Sequence, residues 1–260
     1  MTNDNKKLTH NYSRIAIVTG ASSGIGEGIV RKFIASGYGV VGNARSADKL
    51  IALENELGEA FCGVAGDASE YTTIEALFTA AINHFGKAAD IVVANAGRGL
   101  GGSVKDADLS QFDAMLKLNV SGTLVLLQKA AQNMVNQLQS NSTEQALDIV
   151  VIGSVVGRHI SPFSAVYGAT KFAVHSLTEG LRPEVGPKGI RVSLVEPGIV
   201  ISGFQDAANY GDDLVQQFNN KWGPLLQPHD VANAVHFIIS QPAHVHISDI
   251  MIRPTKQDNP

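Results

Sequence analysis

Short runs of apolar, mostly β-branched residues alternate with stretches whose apolar positions recur at helical spacing, and the alternation persists along nearly the whole chain. The runs Ile15–Thr19, Gly39–Asn43, Ala60–Val64, Ile91–Asn95, Asp148–Gly153, Arg191–Val195 and Ile247–Ile252 predict strands. They are nearly continuous rather than alternating, which suits strands covered on both faces. Helical patterns near Ile25–Ser36, Tyr71–Phe85, Leu109–Leu138, Tyr167–Val185 and Pro228–Ser240 fall between them. The pattern predicts an α/β fold, a doubly wound parallel sheet of about seven strands with helices on both faces. Pro183 should kink or end its helix near Arg182.

Between the periodic segments lie polar ones. The first thirteen residues form a flexible N-terminal arm, and residues 14–260 form one domain with no linker dividing them. The polar stretch Asn136–Ala146 reads as a solvated connection before the fifth strand. Residues from about 200 to 222 show no clean strand pattern and follow a strand end, where open α/β sheets place their ligands; they read as a mobile substrate lid.

Composition narrows the class. A chain of 260 residues, 44% hydrophobic and 17% charged, can bury one large core. A net charge of −4 with no basic block gives no electrostatic reason for a nucleic-acid or membrane partner. Cys62 is the single cysteine, so no intrachain disulfide forms, and its apolar neighbours suggest a buried structural thiol. No apolar core precedes Arg14, and glycines and Glu27 interrupt the next run, which excludes a signal peptide or membrane span there. The chain therefore reads as cytoplasmic.

The first strand runs directly into Thr19-Gly-Ala-Ser-Ser-Gly-Ile-Gly26, which opens a helix. Gly20, Gly24 and Gly26, with Ser22, Ser23 and Ile25 between them, permit a tight turn and close approach of backbone to a ligand. The amides at the helix start favour an anion such as a pyrophosphate. A tight strand-to-helix turn needs glycine too, but the position after a strand and before a helix points to a dinucleotide in a Rossmann-type fold.

This loop resembles the cofactor loop of the short-chain dehydrogenase/reductase family, which spaces its glycines G-x-x-x-G-x-G. The resemblance continues through Asn95-Ala96-Gly97, Asn119, Ser154, Tyr167 with Lys171, and Pro197-Gly198, and spans about residues 14 to 252. It implies a nicotinamide cofactor. NAD-preferring members usually carry an aspartate where Ala44 stands here; Arg45 follows, and a guanidinium can grip a 2′-phosphate with two parallel bonds, so NADP is expected. Arg45 as an ordinary solvated charge is the alternative, and Ser23 replaces a second basic residue that some members carry. By the same resemblance Asp67 and Ala68 meet the adenine, although Asp67 also suits a helix N-cap. Asn95, Ala96 and Gly97 brace the sheet and approach the cofactor, and Pro197, Gly198, Val200 and Ser202 contact its carboxamide end.

Tyr167 and Lys171 lie four residues apart, on one helix face. A free tyrosine has a pKa of about 10, and lowering it to about 7 takes about 4 kcal/mol of differential stabilisation, which an ammonium and an oxidised nicotinamide can supply. A Tyr/Lys helix pair on its own would be a surface contact; Ser154, thirteen residues earlier at a strand end, changes that. The resemblance implies that Ser154 donates to the substrate oxygen, that Tyr167 is the general acid or base, and that Lys171 holds the nicotinamide ribose. It also implies that Asn119 holds a helix distortion and a water leading to the lysine, with pro-S hydride transfer and no metal.

Val155, Val156, Phe163 and Ile199, with Phe204 and Tyr210 from the lid, are candidate pocket residues for a ketone, aldehyde or secondary alcohol. Arg98, Arg158 or His159 could instead bind a carboxylate, which would favour 3-hydroxy acids or amino-acid alcohols. The C-terminal run from Pro242 to Pro254 resembles the branch of broad-range reductases and 3-hydroxy-acid dehydrogenases. His244 and His246 alternate but lack further ligands for a metal, and read as solvated. The resemblance implies a homodimer or homotetramer built on the two long helices. A non-catalytic NADP-binding regulator would be expected to have lost the tyrosine, lysine or serine, and a sugar-nucleotide epimerase would be longer.

Overall fold

A computed structural model describes residues 12–140, 145–161, 163–202 and 212–258. Seven strands, β1 (Ile15–Thr19), β2 (Gly39–Ala44), β3 (Phe61–Ala65), β4 (Ile91–Ala94), β5 (Leu147–Ile152), β6 (Ile190–Pro197) and β7 (Asp249–Ile252), form one parallel sheet in the order β3-β2-β1-β4-β5-β6-β7. The chain winds outward from β1 to β3, then returns to β4 on the other side of β1. That reversal opens a crevice at the carboxyl ends of β1 and β4.

Alternate residues of β1 explain the two faces. Ile15 and Ile17 pack with Ile74, Leu77, Leu126 and Val174 of α3 (Tyr71–Phe85), α5 (Thr123–Ser140) and α6 (Ala165–Val185). Ala16 and Val18 pack on the opposite side with Ile29, Phe33, Leu50 and Val231 of α1 (Gly24–Ala35), α2 (Ala47–Leu57) and α8 (Pro228–Ile239). Each fully buried aliphatic side chain contributes about 1.5–3 kcal/mol, so the continuous apolar strands are the main stabilising element.

The amino ends of the strands are closed by buried charge. Asp148 of β5, 1% exposed, accepts from Arg14 at 2.7 Å and from Arg191 at 2.7 and 2.9 Å. Arg191 also donates to the carbonyls of Ile239, Gln241, Pro242 and Val245. One carboxylate thus ties β1, β5 and β6 to the segment that follows α8. Nothing in the hydrophobic pattern had pointed to this cluster.

Several expectations are corrected. Ala47–Leu57 forms a helix that its weak apolar pattern hid, with only Leu50 and Leu53 buried. The pattern over 109–138 is broken: a short α4 (Phe112–Leu116) passes into a π-helical stretch, Lys117–Gly122, before α5. Helix α6 runs through Pro183 and ends two residues later at Val185, and Arg182 donates to the carbonyls of Val192 and Ser248. Tyr12 and Ser13 of the expected arm are packed, Tyr12 edge-on against Phe85 at 5.3 Å and Ser13 bonded to Gly37. Cys62 is half-buried rather than fully buried, and burial raises its pKa. His246 is not solvated: it bonds the Val192 carbonyl at 2.9 Å. No described helix is long and apolar enough to cross a membrane.

Candidate active site

The loop after β1 needs glycine for stated reasons. Gly20 and Gly24 have φ of +68° and +54°, where side chains are strained. A Cβ on Gly26 would lie 2.1 Å from the Gly20 carbonyl oxygen, so α1 starts hard against the turn. Asn95 Nδ2 donates to the Thr19 carbonyl at 2.8 Å, and the Thr19 hydroxyl accepts from the amides of Asn95 and Ala96 at 3.1 and 3.0 Å. These bonds clamp the glycine loop to the segment Asn95-Ala96-Gly97 across the crevice. Asn43 pins the neighbouring strand ends by donating to the carbonyls of Val64 and Gly66 at 2.9 and 3.1 Å.

Ser23, at the N-cap of α1, makes no side-chain bond to the first turn. A tight, glycine-lined turn leading into such a helix start is a cradle for an anion. A Cβ on Gly24 would be 3.0 Å from Ser202 Cβ, which brings the Pro197–Ser202 run onto the same loop. On the other side, a Cβ on Gly122 would be 2.8 Å from the Ala68 carbonyl, so Ala68 sits against the π-helical stretch. Arg45 is exposed. Asp67 is exposed too; its Oδ1 accepts from Ser69 N at 2.8 Å, and this bond, with smaller contributions from Arg45 and Lys117, holds its carboxyl below the usual range. Asp67 therefore caps a turn, while Glu70 occupies the N-cap of α3.

At the carboxyl end of β5 the structure brings the four candidate catalytic residues together. Tyr167 and Lys171, 9% and 7% exposed, share the inner face of α6. Lys171 Nζ lies 5.9 Å from the Tyr167 ring centroid and donates to the Ile152 carbonyl at 2.8 Å. Burial pulls the lysine down to about 8 from its ordinary 10.5. Asn119 sits in the π-helical stretch; its Oδ1 accepts from Arg98 N, and its Nδ2 donates to the Arg98 carbonyl and to the Thr170 hydroxyl at 3.0 Å. Thr170 in turn donates to the Tyr167 carbonyl at 2.8 Å. Asn119 thus reaches the tyrosine helix through Thr170. Ser154, extended at the strand end, heads the short turn Val155–Gly157.

The candidate pocket residues divide. Val155 and Val156 are buried with Leu100, Met115 and Tyr167 in a small third core behind the tyrosine. Ile199 is half-buried, and its amide donates to Gln257 Oε1 at 3.0 Å. Phe163 is 82% exposed. Phe204 and Tyr210 lie outside the described residues, but the end of the expected lid is a helix, α7 (Asp212–Trp222), whose Trp222 indole donates to Asp258 at 2.8 Å. Of the three cations considered for a carboxylate, Arg158 is committed to a two-point pair with Glu196 at 2.6 and 2.8 Å. Arg98 bonds Gln111, and His159 is exposed.

Sequence reasoning missed Thr19, Asn43, Thr170, His175 and Gln257, each of which holds the site through hydrogen bonds. His175 left a faint signal, a polar residue on the buried face of α6 four positions after Lys171.

A glycine loop clamped across the switch point of a parallel sheet, beside a buried Tyr-Lys pair, defines a dinucleotide-dependent oxidoreductase. The family profile described as short chain dehydrogenase matches residues 14–212. An uncharacterized oxidoreductase of Staphylococcus epidermidis is 32% identical over 241 residues, covering 93% of this chain and 97% of that protein. One from Staphylococcus aureus is 33% identical over 242 residues with the same coverage. Among solved structures, the closed form of serine dehydrogenase complexed with NADP+ superposes with a TM-score of 0.84 at 30% identity, over 94% of this chain and 96% of that one. A 3-ketoacyl-(acyl-carrier-protein) reductase from Brucella melitensis complexed with NADH gives 0.84 at 28% identity, over 94% and 98%. The chain belongs to the short-chain dehydrogenase/reductase family and is an oxidoreductase.

Proposed function

We propose that the protein is an NADP(H)-dependent carbonyl reductase or secondary-alcohol dehydrogenase with Tyr167 as its proton-transfer group. The observation that carries this reading is the burial of Tyr167 beside Lys171 at the end of β5, against the turn that Ser154 heads. The residues present fit the cofactor. Gly20 to Gly26 would hold its phosphates; Arg45, Asp67 and Ala68 its adenosine end; and Asn95, Gly97, Pro197, Gly198, Val200 and Ser202 its nicotinamide end. When bound, the nicotinamide supplies or accepts the hydride.

The chain's own groups do the rest. Ser154 Oγ and the Tyr167 hydroxyl donate to the substrate oxygen, and the phenol hands over its proton as negative charge grows there. The Lys171 ammonium, close to the phenol and poorly solvated, favours the phenolate that remains. Asn119 and Thr170 fix the start of α6, so the phenol does not swing. Val155 and Val156 keep the back of the tyrosine dry.

Arg45, with Ala44 in place of an acidic residue, supports NADP over NAD; the solved relatives include proteins complexed with each kind of cofactor. A second reading, oxidation of 3-hydroxy acids or amino-acid alcohols, is favoured by two serine dehydrogenases among the structural relatives, at 30% and 29% identity. It would draw on Arg98 or His159, since Arg158 is already paired. We read the active form as a homo-oligomer, which the exposed Leu116, Leu124 and Phe172 on α4, α5 and α6 support.

The test is a panel of ketones, aldehydes, 3-oxo acids and serine assayed with NADPH or NADP+ and with NADH or NAD+. At least one class should turn over, and Tyr167→Phe should lower turnover by about 10²–10⁴-fold with nearly unchanged NADPH binding. A phenylalanine variant that keeps turnover would refute the assignment.

A further inference from the structure

The helix that carries Tyr167 and Lys171 also carries a buried histidine that neither role uses. His175 is 8% exposed and sits directly beneath the turn headed by Ser154. The backbone N–H of Ser154 donates to His175 Nε2 at 3.3 Å. The two glycines that flank this turn make room for the ring: a Cβ on Gly153 would lie 2.3 Å from Nε2, and one on Gly157 2.5 Å from the ring. We propose that His175 is a positioning residue that sets Ser154 in register with Tyr167 and Lys171, through the bond from the Ser154 amide to its Nε2.

The proposal rests on the reading of Ser154 as donor to the substrate oxygen. Its logic is geometric. Ser154 comes from β5, whereas Tyr167 and Lys171 come from α6, and two groups that must meet one substrate oxygen have to be fixed relative to each other. Lys171 makes one such link by donating to the Ile152 carbonyl. His175, one turn further along the same helix face, makes a second, on the serine itself. An acceptor at Nε2 requires the ring proton on Nδ1. That nitrogen faces Glu196 Oε2 at 3.8 Å, and Glu196 is 1% exposed. Arg158, immediately after the serine turn, forms the two-point pair with the same carboxylate and lies 3.5 Å from Asp249. The turn is thereby held at its start by His175 and at its end through Arg158. Glu196 directly precedes Pro197-Gly198, so the serine turn and the run assigned to the nicotinamide share one anchor.

The charged groups acting on the ring are Glu196, Lys171, Arg158 and Glu179. Burial outweighs them and depresses the histidine to about 4, so the ring stays a neutral acceptor through the neutral range.

Two variants and one spectrum test this. His175→Phe fills the same space without an acceptor, while His175→Gln can offer an amide oxygen close to the place of Nε2. With the best substrate from the panel, His175→Phe should lower kcat by about tenfold, the effect of one lost hydrogen bond, with NADPH binding unchanged. His175→Gln should recover most of that loss. Equal impairment of the two variants, or an unimpaired phenylalanine variant, would overturn the proposal. Nitrogen NMR of the unmodified protein should find the His175 proton on Nδ1 and the ring neutral at pH 6. A proton on Nε2 overturns the proposal whatever the variants do, including if they fail to fold. If the unmodified protein turns over nothing on the panel, the functional reading fails, whereas an Nδ1 proton would still support the bond from Ser154.

Discussion

Lys171→Met is expected to make the cofactor-free protein more stable and to abolish its turnover. The ammonium is 7% exposed and rests on a single described hydrogen bond, to the Ile152 carbonyl at 2.8 Å. Burial pulls its pKa from 10.5 to about 8. At about 1.4 kcal/mol per pH unit, keeping that charge inside the fold at neutral pH costs about 3 kcal/mol. Methionine keeps the stem's packing and removes the charge, but leaves the Ile152 carbonyl without its donor, a loss of about 1 kcal/mol. The net gain is about 2 kcal/mol, or a rise in Tm of about 4–8 °C for a domain of this size. Thermal and urea denaturation at pH 7 without cofactor would read it. The pH dependence supplies a sign. The folded-state pKa lies below the unfolded one, so between about pH 8 and 10.5 the unfolded chain holds more protons and stability rises with pH. That gain is lost again as pH falls through 8, and it should be absent from the methionine variant. A variant less stable than its parent at pH 7, or one with the same alkaline pH dependence, would refute the account of this lysine as a costly charge held for chemistry.

Two further predictions concern the opposite edge of the sheet and the cofactor. Asp148→Ala leaves the buried Arg14 and Arg191 without their anion and should cost about 3–5 kcal/mol in urea denaturation; a loss of about 1 kcal/mol, the value of an exposed pair, would mean the cluster is well solvated. Arg45→Ala should weaken NADPH binding by about tenfold or more while leaving NADH binding nearly unchanged, as judged by fluorescence titration. Equal weakening of both would remove the basis for an NADP preference.

The strands and most helices were legible because strands buried on both faces leave continuous apolar runs and helices leave a periodic stripe. What the pattern could not carry was structure held by single polar bonds. Helix α2 buries only Leu50 and Leu53 and so shows little periodicity. The π-helical stretch around Asn119 has ordinary helical composition; Arg98 and Thr170 show where its side chain bonds, and both are distant in sequence. The glycine loop and the Tyr-Lys pair were legible because their spacing is local. Asn95 and Thr19, whose bond spans the crevice, were not readable as partners. The same limit explains Arg158, which local sequence offers as a free cation near the pocket and which the fold closes onto Glu196, 38 residues away.

The two edges of the sheet are built on opposite terms. At the amino ends, two arginines hold Asp148, donate to six carbonyls between them, and join β1, β5 and β6 to the chain after α8. At the carboxyl ends, an ammonium has one described hydrogen bond, glycines replace side chains, and the start of α1 lacks a side-chain cap. The buried ammonium and the uncapped helix start are costs, and both are what an anionic cofactor or a developing oxyanion would relieve; the glycines give such a group room to approach. The first edge shows why the fold can tolerate these costs: the strands are clamped where no chemistry occurs, so their far ends can carry a buried ammonium and an uncapped helix start without splaying. On this view Lys171→Met and Asp148→Ala are complementary experiments, and their stability changes should have opposite signs because one removes a cost of function and the other removes the clamp that offsets it.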